Sequence, residues 1–187
     1  MSHVSGCLFD FVYSMIKQIQ CNRSVVTIGY LQTLQFKRFL SGCSFLDVLQ
    51  INFDNNKAIV SFVNIHNSHW KLLYINAAEK NVYLVDPARR STELTDSDHA
   101  AKRICEYFKL RRTCHSKTDW VDIKFKGGVL QHPLQQDGDS CGVLVIMMAN
   151  AVMEAFPKIP NIAFGTTKTE MEHQRTLCKY LKPQCLT

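Results

Sequence analysis

The side chains best suited to covalent chemistry in this sequence are a cysteine, a histidine and an aspartate that stand far apart along the chain: Cys141, His69 and Asp86. A thiol becomes a strong nucleophile once it loses its proton. An imidazole is the usual base that takes that proton, and a carboxylate fixes the imidazole tautomer and stabilises its protonated form. Cys141 follows the polar loop Asp137-Gly-Asp-Ser and opens an apolar run, so it is expected at the start of a buried helix, whose positive end favours a thiolate. Gly142 behind it permits close backbone approach. Taken alone, Cys141 reads at least as readily as an inert packed cysteine beside an apolar segment.

A hairpin supplies the other two groups. If Asn76-Ala-Ala-Glu79 is a four-residue loop, Ile75 pairs with Lys80 and the register runs outward until His69 stands directly opposite Asp86. Directly opposed residues share a face with Cβ atoms about 5 Å apart, a reach that suits a carboxylate accepting a hydrogen bond from an imidazole. By themselves, the two residues also read as a surface histidine and a turn-forming aspartate before proline. No other cysteine has as good a setting: Cys7, Cys105 and Cys178 fall in expected helices as packing residues. Cys21, Cys43, Cys114 and Cys185 lie near loops without an evident base. His173, Cys178 and Cys185 lack the paired spacing of a zinc site, so no metal is expected. His66, His115 and His132 read as polar surface or loop residues.

The elements that must position these groups follow from periodicity. Apolar residues between Leu8 and Ile19 recur at helical spacing, and a second short helix is expected over Leu31 to Leu40. Lys57 to Ile65, His69 to Ile75 and Asn81 to Val85 read as three central strands, the last ended by Asp86-Pro87. Asp96 to Leu110 reads as a helix capped by Asp96 or Ser97, Val121 to Phe125 as a strand before Gly127-Gly128, and Val129-Leu130 as a further strand. Ser140 to Phe156 is the strongest helix, stopped by Pro157 and Pro160, and Thr167 to Leu181 reads as a surface helix. Helices at both ends around a central sheet give an α+β fold in a single domain, residues 1–187.

Composition narrows the function classes. At 187 residues, with 46% apolar and 20% charged residues, the chain suits one domain with a packed core. Its apolar runs are too short to span a bilayer, and no small-residue cleavage site follows the first helix, so neither membrane insertion nor secretion is expected. Eight irregularly spaced cysteines fit reduced thiols in the cytoplasm or nucleus. The net charge of +6 is spread over short pairs such as Lys102-Arg103 and Arg111-Arg112, which read as solvated surface rather than a specific nucleic-acid site.

Three segments taken together carry a resemblance: Asn64-Ile-His-Asn-Ser-His69-Trp70-Lys-Leu-Leu-Tyr-Ile-Asn, Tyr83-Leu-Val-Asp86, and Pro133-Leu-Gln135-Gln-Asp-Gly-Asp-Ser-Cys141-Gly142. Their order resembles the catalytic core of the ubiquitin-like-protein-specific cysteine proteases, the family that includes the SUMO and NEDD8 proteases, with the glutamine six residues before the nucleophile. The resemblance implies a papain-like or adenain-like fold: a central, mostly antiparallel sheet flanked by helices, with the nucleophile at a helix N-terminus. It implies that His69 deprotonates Cys141, that Asp86 orients His69, and that Gln135 donates a hydrogen bond to the oxyanion. It further implies that Trp70 and Gly142 border a narrow channel for a Gly-Gly tail.

Two positions depart from the pattern: Ser140 stands where SUMO-type members often carry aspartate, and Cys7 begins a segment that usually starts with a second channel tryptophan. The implied activity is hydrolysis after the tail of a ubiquitin-like modifier, by precursor processing or release from lysine, with no cofactor. The alternatives are acyl transfer on the same triad, and a catalytically idle module that binds ubiquitin-like proteins.

Overall fold

Three neighbouring segments are rich enough in valine, isoleucine, leucine and tyrosine to form strands buried on both faces, and they make the centre of the sheet. In the computed structural model, which describes residues 25–27, 31–32, 53–65 and 68–180, these are β3 (Ala58–Ile65), β4 (His69–Asn76) and β5 (Asn81–Val85). They run antiparallel in the order β3-β4-β5. Short strands join in parallel at the two sides: β1 (Val25–Thr27) and β2 (Leu31–Gln32) on β3, and β6 (Lys126–Gly127) on β5.

Alternate side chains of the central strands feed two separate cores. Ala58, Val60, Phe62, Leu72, Tyr74, Tyr83 and Val85 pack on one face against α2 (Cys141–Ala155), a helix apolar almost all round. Ile59, Val63, Leu73, Ile75 and Val82 pack on the other against α1 (Glu93–His115) and the ring cluster of Phe53, Phe108, Trp120 and Phe125. The last described helix, α3 (Lys168–Tyr180), buries Met171 in the first of these cores and leaves Lys168, Thr169 and Glu170 exposed. Helices on both faces of a mixed sheet make the α+β architecture.

Several boundaries differ from the sequence expectation, each for a physical reason. The helix expected from Asp96 begins at Glu93 and runs on to His115; its cap position is Thr92, and Asp96 and Ser97 lie inside it. Cys114 therefore sits in the last turn of α1 and not in a loop. Val121 to Phe125 is not a strand: Trp120 takes a positive φ of 55° to enter the aromatic cluster, and pairing begins only at Lys126. Gly127 is needed there, since a Cβ would lie 2.4 Å from the backbone nitrogen of Asp98 on α1. Val129-Leu130 is held outside the ladder by the Leu130 N–H donating to Glu93 at 3.1 Å. Leu31 and Gln32 form β2 and not a helix; the expected helix over Leu8 to Ile19 and the rest of the one to Leu40 lie outside the described residues.

The hairpin register is the correction that matters for the site. Asn76 does not open the loop; it stays in the ladder opposite Asn81, its side-chain oxygen accepts the Glu79 N–H at 3.2 Å, and Lys80 takes a left-handed φ of 59° to close the turn. Ile75 consequently pairs with Val82, not Lys80, and the strand is offset by two residues from the expected pairing. A two-residue offset keeps every side chain on its face.

Candidate active site

Continuing the observed register past Leu72 opposite Val85 sets Lys71, and not His69, opposite Asp86. His69 begins β4 two residues earlier on the same face and reaches Asp86 along the diagonal, a distance long side chains span. Its Nε2 lies 2.8 Å from Asp86 Oδ1, which also accepts the Ala88 N–H at 2.9 Å, while the Lys71 ammonium holds Oδ2 at 3.0 Å. Asp86 is thus a nearly buried carboxylate with both oxygens in use, and His69 is a partly open imidazole with 25% of its side chain exposed.

Cys141 arrives from the opposite layer. It is the first residue of α2, is 4% exposed, and lies close enough to the His69 ring to help raise its pKa. With Nε2 committed to Asp86, Nδ1 is the ring nitrogen left to exchange a proton with the thiol. The hydrogen bond to Asp86, and after it the interaction with Cys141, outweigh partial burial and lift the His69 pKa from 6.5 to about 9. For Asp86 burial opposes ionisation, but hydrogen bonds from His69, the Ala88 N–H and Lys71 prevail and hold it well below the usual carboxylate range. An ionised carboxylate, an imidazolium and a sulfur at a helix N-terminus therefore come together where the two layers meet at the end of the sheet.

The loop into α2 is ordered by a residue not singled out from the sequence. The Asp137 carboxylate accepts the N–H of Asp139 at 3.2 Å and of Ser140 at 2.8 Å, and also the Ser140 hydroxyl. This fixes the turn immediately before Cys141, whose own N–H, in the first turn of the helix, has no intrahelical acceptor to meet. An Asx turn of this kind is visible as Asp-Gly-Asp-Ser, yet only the fold shows which of the two aspartates makes it. Gln135 is tied to both sides of the site: its backbone N–H donates to Pro87 O at 2.8 Å, one residue beyond Asp86, and its Nε2 donates to Asp137 O at 2.8 Å. That bond uses one of the two Nε2 hydrogens, while Oε1 is buried with no hydrogen-bond partner among the described residues.

Trp70, between His69 and Lys71 in β4, points to the other face and packs half-buried against the core that holds α2. Gly142 is buried as the second residue of that helix. His132, read from the sequence as a surface or loop residue, is 2% exposed: Nε2 faces Glu93 at 3.2 Å and Nδ1 faces Pro133 O at 2.8 Å. With Arg90 donating to the His132 carbonyl, this buried pair anchors the segment that carries Gln135. Among the described residues no cluster of histidine, cysteine and acidic side chains could hold a metal ion.

The family model of the Ulp1 protease family, C-terminal catalytic domain, matches residues 45–179, which contain every residue of this site. A search of curated protein sequences found no match. Among solved structures, the SUMO protease Ulp1 with its catalytic cysteine oxidised to a sulfenic acid superposes with a TM-score of 0.66 at 16% identity, covering 93% of this chain and 74% of that one. The C-terminal Ulp1 protease domain in complex with Smt3, the yeast ortholog of SUMO, gives 0.66 at 16% identity over 93% and 73%. The Xanthomonas campestris effector protein XopD bound to ubiquitin gives 0.55 at 15% identity over 92% and 88%.

Proposed function

The chain belongs to the Ulp1 protease family, and we propose that it hydrolyses the bond after the C-terminal Gly-Gly of a ubiquitin-like modifier with Cys141 as nucleophile, His69 as base and Asp86 as the acid that orients it. The observation that carries the residue assignment is the placement of one imidazole between Asp86, at 2.8 Å, and a cysteine that begins a buried helix. Solved relatives at the same fold are described as bound to Smt3 and to ubiquitin, which supports a modifier protein as substrate.

In this reading the Cys141 proton has passed to His69 Nδ1 to give a thiolate–imidazolium pair, and the thiolate attacks the carbonyl carbon of the terminal glycine. The oxyanion meets the Cys141 backbone N–H and the second Nε2 hydrogen of Gln135. The imidazolium then protonates the departing amine, leaving a thioester. Water, deprotonated by His69, attacks that thioester and releases the modifier's carboxylate and the thiol. Trp70, beside His69 on the α2 side, walls the approach so that glycine is the residue that passes.

The test is cleavage of a panel of ubiquitin-like precursors and lysine-linked conjugates by the full chain, with Cys141→Ala and His69→Ala as controls. Cleavage after Gly-Gly that disappears in both variants is the expected result. Transfer of an acyl group to an amine without net hydrolysis would overturn it in favour of an acyltransferase, and binding without turnover would point to an idle module.

A further inference from the structure

The acid of this site has a second cation on it. Lys71 Nζ lies 3.0 Å from Asp86 Oδ2 and 3.1 Å from Asp96 Oδ2, and its side chain is 16% exposed. It is placed there by register: as the residue opposite Asp86, Lys71 meets the carboxylate head-on while His69 reaches it from the diagonal. The groups that face it are His69 from its own strand, Asp86 from the end of β5, and Asp96, His99 and Arg103 from one face of α1. Cys141 meets the far side of the imidazole from α2.

A lysine with its ammonium largely buried needs its charge answered, and two carboxylates do so here. The pairing has a consequence for the neighbouring ring. A carboxylate shared by two cations gives each less than it would give one alone, and a third charge, Asp96, draws the ammonium partly away.

We propose that Lys71 is a positioning residue of the catalytic pair: its ammonium on Oδ2 supplements the Ala88 N–H on Oδ1 in orienting Asp86 toward His69, and it shares that carboxylate's charge with the imidazole in a proportion set by Asp96. This rests on the reading of His69 and Asp86 as base and orienting acid. A base works best when its proton can be both taken and returned near the working pH. Lys71 opposes an imidazolium that would otherwise hold its proton too firmly to hand it to the departing amine.

The sign of the effect is fixed by electrostatics. The two cations are separated by no more than about 8 Å, the span of two hydrogen bonds across one carboxylate. At an effective dielectric between about 40 and 80 their repulsion corresponds to roughly half to one pH unit on the imidazole. Removing Lys71 therefore raises the titration midpoint of His69, while the Ala88 N–H still holds Oδ1 in place.

The experiment follows the His69 ring by NMR across pH in the full chain labelled at histidine, with His69→Gln identifying its signal, alongside kcat and KM on the cleaved precursor. Lys71→Met and Lys71→Gln are both expected to raise the midpoint by about half to one unit and to lower kcat several-fold with KM within about twofold. Lys71→Arg restores both values, and Asp96→Asn, which leaves the ammonium to Asp86 alone, moves the midpoint down. A midpoint unmoved or lowered in both Lys71→Met and Lys71→Gln overturns the proposal, as does failure of Lys71→Arg to restore it. If wild type cleaves no precursor, the activity assigned above fails instead, and the titration still decides the role of Lys71.

Discussion

Replacing Asp86 by asparagine removes one atom's worth of chemistry and no volume, so its effect isolates the carboxylate. The two oxygens now accept from His69, Ala88 N–H and Lys71. An amide has one oxygen: if that oxygen faces His69, the new NH2 faces the Lys71 ammonium that lies 3.0 Å from Oδ2, donor against donor. Asp86→Asn thus loses a charge-assisted hydrogen bond and creates a repulsion. Bonds to charged groups contribute about 1.5 to 3 kcal/mol, which corresponds to a loss of roughly 10- to 150-fold in kcat/KM.

The pH dependence gives a sharper prediction. His69 is held at about 9 against an ordinary 6.5, so the stability it contributes is complete below pH 6.5 and is lost as pH rises through about 9. Asp86 is held below its ordinary 3.8, so its contribution is present above pH 3.8 and is lost as pH falls through its folded value. The gap in thermal midpoint between wild type and Asp86→Asn is therefore widest between about pH 4 and pH 6.5 and narrows above pH 9. Inactivation by an electrophile-tipped ubiquitin-like probe, followed against pH, is expected to show a basic limb near 9 in wild type that moves toward 6.5 in the variant. A basic limb at the same pH in both proteins would refute the reasoning.

On the proposed mechanism Gln135→Ala lowers kcat by about 10²- to 10³-fold in steady-state cleavage, and loss of its hydrogen bond to Asp137 O lowers the thermal midpoint slightly. Asp137→Ala frees the turn before Cys141; a loss of about 1 kcal/mol by urea denaturation, together with a fall in kcat that Asp137→Asn partly restores, is the expected outcome. Glu93→Ala leaves buried His132 and the Leu130 N–H without their acceptor and is expected to cost about 3 to 5 kcal/mol in the same denaturation assay. A cost below about 1 kcal/mol would remove Glu93 from the anchoring of the Gln135 segment.

The parts of this site that follow local rules were readable from the sequence. The strand periods placed β3, β4 and β5 closely, and the polar loop before an apolar run placed Cys141 at a helix start. The pairing of His69 with Asp86 came out on the correct face from a register that was wrong by two residues, because an even offset preserves the face and the side chains are long enough to meet on the diagonal.

What local pattern hides is who answers a buried charge from afar. Lys71 finds Asp96 25 residues along, and His132 finds Glu93 at a separation of 39. Arg111, read as half of an exposed basic pair, is 1% exposed, bonded to Asp119 at 2.7 Å and lying over the Phe53 ring. Each of these looks like ordinary surface polarity until α1 is docked on the sheet.

The central claim, that Cys141 is the nucleophile toward a ubiquitin-like tail, is met most directly by mass spectrometry of the full chain after reaction with ubiquitin-like proteins carrying a C-terminal electrophile. The predicted result is a single adduct mapped to Cys141, absent in Cys141→Ala and slowed in His69→Ala. An adduct on Cys105 or Cys114, or one that forms equally well in Cys141→Ala, would contradict it.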